Sequence, residues 1–284
     1  LQLLRERFHP LYYARKSAAG RFMIRLVDLP VWLSVLDVAF KVRGRLVTHG
    51  LVFAAIGTQE PGSKALALAC VEGLKLESFW DVGANIGYYT WLLKSASPTL
   101  RAVLFEASPA NAQLVRTTLS RNKLLDVELI AAGASDSQGE GYLRVDSLAG
   151  TTSTLDNSTE QTWEEEHWGV APGRTPIPLV TIDDERSRRP RVDFLKIDVE
   201  GHEAAVLRGA QHTISSDQPI VFVECFHTEH ACLEFLEQEG YQLVDGDRLE
   251  PQVNSGTFNY FGFPRRFHSD IEPLLDDARG RLQP

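Results

Sequence analysis

Asp81-Val82-Gly83-Ala84-Asn85-Ile86-Gly87 closes a short apolar run that begins at Ser78, and Tyr88-Tyr89-Thr90-Trp91-Leu92-Leu93 can open a helix directly after it. A tight turn from strand to helix needs residues that tolerate positive φ and lack bulk, so that a ligand can approach the backbone. Gly83 and Gly87 meet that need, and Asn85 is among the non-glycine residues best suited to left-handed geometry. The spacing departs from G-x-G-x-x-G and is closer to an acidic-x-G-x-G-x-G turn with Asn in the middle. A second feature follows at Glu106, immediately after Val103-Leu104-Phe105 and nineteen residues beyond Gly87. An acid about 20 residues past such a turn is placed to accept the hydroxyl hydrogens of a ribose. Turn and acid together point to a nucleoside-containing cofactor.

Outward from this turn the chain alternates short apolar runs with helix-like segments, the pattern of a parallel sheet with crossover helices. The spacing predicts strands over 78–82, 102–105, 127–131, 192–197, 220–223, 241–244 and 259–263. Helices are predicted over 64–73, 88–95, 109–122, 203–215 and 230–240. Residues 1–76 read as an N-terminal extension, with short helices broken at Pro10, Gly20 and Pro30. Residues 29–40 read as a buried helix, followed by a β-hairpin between 40 and 56. The principal domain spans 77–264, and 265–284 is a C-terminal tail. Within the domain, about 139–175 break the rhythm. This stretch is rich in Gly, Ser and Thr, carries Trp163, Trp168 and the acidic run 164–166, and reads as a functional loop inserted over the sheet's active edge.

Composition narrows the function. The chain has 284 residues, 43% of them hydrophobic, enough for one full core plus an addition. A net charge of −9 argues against a nucleic-acid partner. The most apolar early stretch is too short for a bilayer span, which needs about 20 apolar residues. Three cysteines, Cys70, Cys225 and Cys232, build no even-numbered disulfide framework, so a cytoplasmic location is expected. The sequence opens on Leu1, which leaves preceding residues and any leader open.

Several separated motifs resemble one family. Asp81-Val-Gly-Ala-Asn-Ile-Gly-Tyr-Tyr-Thr90, Phe105-Glu-Ala-Ser-Pro109 with Asn111 and Asn122, Val180-Thr-Ile-Asp-Asp184, and Phe194-Leu-Lys-Ile-Asp-Val-Glu-Gly-His-Glu203 with Leu207-Arg-Gly-Ala210 resemble the FkbM family of S-adenosylmethionine-dependent methyltransferases. The resemblance covers roughly 59–241, and Ala107 departs from it by replacing a commoner Pro. It implies a class I Rossmann-like methyltransferase fold, α/β, with a seven-stranded, mostly parallel sheet and helices on both faces. It also implies O-methylation of a small-molecule or glycan hydroxyl: a sugar, a glycolipid or a polyketide-type metabolite. Asp81, Gly83, Asn85 and Gly87 would line the methionine end of the cofactor, Glu106 would hold the ribose, and Ala107 and Ser108 would border the adenine.

Ligands of open α/β sheets sit at the carboxyl ends of the strands, where the sequence places Asp198 and Glu200. An alcohol acceptor needs a base within hydrogen-bond reach. Asp198 comes first, then His227, Glu200 and His202. Asp198 has two other readings, as a ligand of the cofactor's ammonium and as a cap of the following helix. Glu203 reads as structural, favoured by the helix dipole. Lys196 would need an ion-pair partner inside its strand, Asp81 or Glu224. The run 225–232 holds two Cys and two His but lacks zinc-site spacing, so no metal is predicted there. Assistance of Asp198 by a divalent ion is left open. Trp163 and Trp168 either close over a sugar ring or pack against the domain. Rival functions are a nicotinamide-dependent oxidoreductase and a non-catalytic module on the same fold. Oligomeric state is not legible.

Overall fold

From its amino end the chain forms helix α1 (Ala18–Val27), the antiparallel pair β1 (Pro30–Leu33) and β2 (Val42–Arg45), and helix α2 (Pro61–Gly73) before it enters the central sheet. The computed structural model describes residues 17–35, 38–50, 60–145, 153–155, 173–225, 230–251 and 256–283. Three βα steps follow: β3 (Ser78–Val82) into α3 (Tyr88–Ala96), β4 (Arg101–Phe105) into α4 (Pro109–Asn122), and then β5 (Val127–Ile130). A second sheet interrupts, made of β6 (Gly133–Ala134), β7 (Gly139–Val145), β8 (Ser153–Leu155) and β9 (Gly173–Val180). The chain then continues through α5 (Ile182–Arg186), β10 (Phe194–Ile197), α6 (Glu203–Arg208), α7 (Gln211–Asp217) and β11 (Ile220–Glu224). Helix α8 (His230–Gln238), β12 (Gln242–Asp245), β13 (Asn259–Phe263), a 3-10 turn (Arg265–Asp270) and α9 (Ile271–Arg281) complete it.

The central sheet runs β12-β13-β11-β10-β3-β4-β5. It is parallel from β11 to β5, and β13 is antiparallel to both its neighbours. Strand alternation sends Phe79, Leu104, Phe194, Phe222 and Phe261 into one buried cluster and Trp80, Phe105, Leu195, Ile197 and Val221 into another. Phe222 and Phe261 stack at 4.5 Å between centroids. Both faces are therefore closed to water, and the strands read as continuous apolar runs. Strand β3 lies at the switch point, where the connections change sides and a ligand crevice opens beyond the strand ends. This is the class I methyltransferase fold.

Four expectations change. The apolar stretch 29–40 contains a strand, not a helix: β1 pairs with β2, and Gly44 makes room for Leu33, whose Cδ1 lies 2.5 Å from where a Cβ on Gly44 would sit. An apolar run without periodicity does not separate helix from strand. Gly20 does not break α1, because it sits in the first turn and its N–H is taken by Ser17 Oγ. The helix expected over 203–215 is two helices, parted at Gly209, where a Cβ would lie 2.0 Å from the carbonyl oxygen of Ser135. The insertion is partly an ordered sheet, with β7 paired antiparallel to β8 and β9. Trp163 and Trp168, and the predicted strand arm near 51–53, lie outside the described residues. Residues beyond 264 include a helix that joins the core, with Leu274, Leu275 and Ala278 buried. Among the described residues no helix is long and apolar enough to cross a membrane.

Candidate functional site

The turn after β3 is held by backbone. The N–H groups of Gly83 and Ala84 both donate to the carbonyl of Phe105 at 3.0 Å, which fastens the turn to the end of β4. Gly83 has φ +77°, and a Cβ there would lie 1.7 Å from the carbonyl oxygen of Asp198. Gly87, φ +85°, caps α3 against the Trp91 ring. These two positions accept only glycine, for steric and conformational reasons together. Asn85 adopts φ 54°, as its place in the turn suggested.

Glu106 sits inside this turn rather than beside it. Its Oε2 accepts the Asn85 N–H at 2.7 Å and its Oε1 the Ser108 N–H at 2.8 Å. Burial raises its pKa to about 7 against the opposing pull of those two N–H groups. The Asn111 side chain also bonds this carboxylate, and the lone pair that remains can accept a ligand hydroxyl. Ser108 also caps α4 by accepting the Asn111 N–H, and Ala107 is half-buried between them.

Across the crevice Lys196 organises a set of acids. It lies opposite Asp81 in the β10–β3 register, and its Nζ is 2.9 Å from Asp198 Oδ2 and 3.8 Å from Asp81 Oδ1. The Tyr89 ring lies 5.1 Å from the same ammonium. Burial pulls the Lys196 pKa down, but Asp198 and Asp81 outweigh it and the ammonium is held charged. Asp81 is fully buried, and its Oδ2 takes Thr90 Oγ1–H at 2.7 Å while its Oδ1 has no hydrogen-bond partner. The Asp81 pKa is raised, by burial first.

Two further acids complete the set: Glu224, expected only as an alternative partner of Lys196, and Glu60, which sequence reasoning did not name. Glu224, at the end of β11, has its pKa raised by burial and by Asp198, Glu60 and Glu200, and it shares a hydrogen bond with Asp198. Glu60, just before α2, accepts the Tyr89 hydroxyl at 3.2 Å, and burial and Asp198 raise its pKa. Glu224 could have been found as a charge ending an apolar strand next to the Asp198 strand. Glu60 carries no such signal, because it comes from the extension side of the sheet.

The other expected residues divide. Glu200 neighbours Glu224 electrostatically and adopts φ 54°. His202 Nε2 contacts Ser135 Oγ at 3.0 Å. Asp198 does not cap α6: the N–H groups of Val199 and Gly201 go to Glu203, which is fully buried and structural as expected. Lys196 pairs with Asp81 as expected and more closely with Asp198, which was not foreseen. His227 lies outside the described residues. Among the described residues no three His, Cys, Asp or Glu are placed to hold a metal ion.

A further contact reaches the turn from the N-terminal extension. The Arg45 N–H donates to His49 Nδ1 at 3.0 Å, which leaves the ring proton on Nε2, 3.3 Å from Asn85 Oδ1. Asn111 Nδ2 donates to the same oxygen at 3.2 Å.

This geometry belongs to a recognised group. Residues 81–243, more than half the chain and including every acid of the crevice except Glu60, match the family model of the methyltransferase FkbM domain. Methyltransferase sdnD of Sordaria araneosa is 28% identical over 152 residues, 45% of this chain and 58% of that protein. The chain thus spans less than two thirds of this relative's length. Among solved structures, a methyltransferase FkbM from Methylobacillus flagellatus superposes with a TM-score of 0.45 at 18% identity, over 66% of this chain and 44% of that one. An O-methyltransferase from Bacillus cereus in complex with SAH gives 0.42 at 15% identity, over 75% and 86%. With the turn, Glu106 and the Lys196 strand all inside the matched span, the chain belongs to the FkbM methyltransferase domain family.

Proposed function

We propose that the chain is an S-adenosylmethionine-dependent methyltransferase of the cytoplasm that methylates a hydroxyl on a small molecule or glycan, such as a sugar, a glycolipid or a polyketide-type metabolite. The observation that carries this reading is the acid set around Lys196: Asp81 opens the Gly83–Gly87 turn, the Asp198 backbone packs against Gly83, Glu60 takes the Tyr89 hydroxyl, and Glu224 bonds Asp198. The cofactor carries a sulfonium and an ammonium, and an acidic crevice complements both, with Glu224, protonated by burial, acting as a hydrogen-bond partner of Asp198 rather than as a charge. The same crevice disfavours the pyrophosphate of a nicotinamide dinucleotide. Gly83, Asn85 and Gly87 would let the methionine end approach the backbone, with Asp81 beneath it. Glu106 would accept the ribose hydroxyls, and Ala107 and Ser108 would border the adenine.

When bound, the cofactor supplies an electrophilic methyl carbon, and the protein has to align an acceptor oxygen with it and exclude water. Asp198 is the group in this reading that takes the hydroxyl proton, at Oδ1 or Oδ2, as that oxygen attacks. Lys196 holds the Asp198 carboxylate in place. Glu224, which burial keeps protonated, donates to it and fixes its orientation. Glu200, His202 and His227 are the other bases to test.

Methyl-labelled cofactor incubated with glycan and metabolite extracts, read by mass spectrometry, tests activity and acceptor class together. Asp198→Asn is expected to abolish transfer and to leave S-adenosylhomocysteine affinity within about twofold. An equal loss of affinity would make Asp198 a cofactor ligand instead. Tight binding of NAD without binding of S-adenosylhomocysteine would overturn the reading.

A further inference from the structure

Among the described residues, helix α1 leaves one side uncovered. Phe22, Met23, Leu26 and Val27 recur at helical spacing, and each is about half exposed or more, as are Leu29 and Leu46 beside them. These six are most of the large apolar side chains exposed among the described residues. A patch of this kind on an otherwise well-buried protein marks an interaction surface.

Charge names the partner. Residues 1–50 carry nine Lys and Arg against three Asp and Glu, while the other 234 residues carry 20 against 35. The sequence is therefore polarised, basic over residues 1–50 and acidic over the rest. Arg21 and Arg25 fall within α1 itself. The guanidinium groups of Arg43 and Arg121 lie over the Trp32 ring, at 5.2 and 4.7 Å from its centroid. An apolar helix face set among basic residues suits the interface of an anionic bilayer, where the apolar side chains enter the acyl boundary and the cations meet the headgroups. A second copy meets the face less well, since a two-fold contact would set this basic surface against itself. Acidic groups farther than about 8 Å from the membrane are screened at physiological ionic strength and oppose docking little.

The docked face is also mechanically tied to the site. Asp28, which ends α1, accepts the Val47 and Thr48 N–H groups and the Thr48 hydroxyl and pairs with Arg45. The next residue, His49, contacts Asn85 of the glycine turn. We propose that α1 and its flanking residues dock the protein on anionic lipid surfaces, with Phe22, Met23, Leu26 and Val27 as the inserted side chains. This goes beyond the methyl-transfer reading and does not depend on it.

The test is co-sedimentation of the full chain with vesicles of phosphatidylcholine alone and of phosphatidylcholine mixed with phosphatidylglycerol. The protein is expected to pellet with the mixed vesicles only, and less so as salt is raised. Arg43→Gln should weaken partitioning about fivefold, the effect of one surface charge near anionic lipid. Combined Phe22→Ser, Met23→Ser and Leu26→Ser should abolish it. An unchanged thermal melt in that variant shows that the fold is intact, since these side chains are already exposed. Absence of pelleting, or pelleting that the triple variant retains, overturns the proposal. So does a concentration-dependent dimer that the triple variant abolishes while vesicles bind nothing, which would assign the face to a second copy.

Discussion

The central sheet and the first part of the N-terminal extension, from α1 to His49, are held by different balances of forces. Strands β3, β10 and β11 bury aromatic and branched side chains on both faces. The extension buries α2, Val35 and Val42 in the same core, but among the described residues it keeps the apolar face of α1 in solvent and adds polar contacts to the body: the Ala39 N–H to Ser95 Oγ, the Arg43 N–H to Thr118 Oγ1, and His49 to Asn85. Burial is non-directional and spread over many residues, so it tolerates single changes. A few hydrogen bonds fix direction but fail one at a time. The site lies where the two regimes meet, with its acids seated in the sheet and its turn braced from the extension.

The largest effect is expected where the sheet itself departs from apolar burial. Lys196 is the cation that pairs with both Asp81 and Asp198, and removing it leaves those two acids facing each other without it. Lys196→Met should cost about 3–5 kcal/mol, the usual penalty for breaking a buried ion pair from one side. Urea unfolding measures it. If Asp81→Asn on the same background recovers part of the loss, repulsion between the stranded acids is the cause; if it recovers nothing, Lys196 acts through packing.

Much of the sheet was legible because it obeys one rule at a time. The apolar runs ending at Val82 and Phe263 gave strands with their observed bounds, and Gly83, Asn85 and Gly87 announced positive φ by residue type. The extension was less legible. Val31, Trp32 and Leu33 are as apolar as a buried helix, and only their pairing with Val42, Arg43 and Gly44 makes them a strand. The site divided along the same line. Asp198 and Glu106 stand at strand ends and could be placed by spacing. Glu60 and His49 reach the crevice from far along the chain, and no local pattern encodes a contact between His49 and Asn85.

A medium effect should appear as pH dependence at Glu106. Its pKa in the fold is about 7, above the ordinary carboxylate value of 4.5. A raised acid favours the fold while protonated, so this contribution is complete below pH 4.5 and is lost as pH rises through about 7, in total about 3 kcal/mol. A ribose hydroxyl prefers the ionised form as acceptor. Affinity for S-adenosylhomocysteine should therefore rise about tenfold between pH 6 and 8. Calorimetry across that range should give a flat, weaker profile for Glu106→Gln, together with higher stability than the parent above pH 7. The same slope in the variant would remove Glu106 from the ligand.

The smallest effect, at His49, tests whether the extension braces the turn or merely touches it. Burial lowers the His49 pKa to about 4, so the ring is neutral at pH 7 and can accept from Arg45 and donate to Asn85 at once. A depressed histidine leaves stability intact above pH 6.5 and withdraws it as pH falls toward 4, because protonation destroys the acceptor that the Arg45 N–H requires. His49→Ala removes both contacts and should cost about 1–2 kcal/mol. Asn85 keeps Asn111 as a second donor, so the turn persists with less restraint, and S-adenosylhomocysteine should bind about threefold to fivefold more weakly. Denaturant melts from pH 7 down to 4 should show the parent losing stability while the variant, already without the contact, loses less. A variant that is destabilised but binds the ligand as the parent does would mean that the extension stabilises the fold without positioning the turn, and the two regions would then be coupled through stability alone.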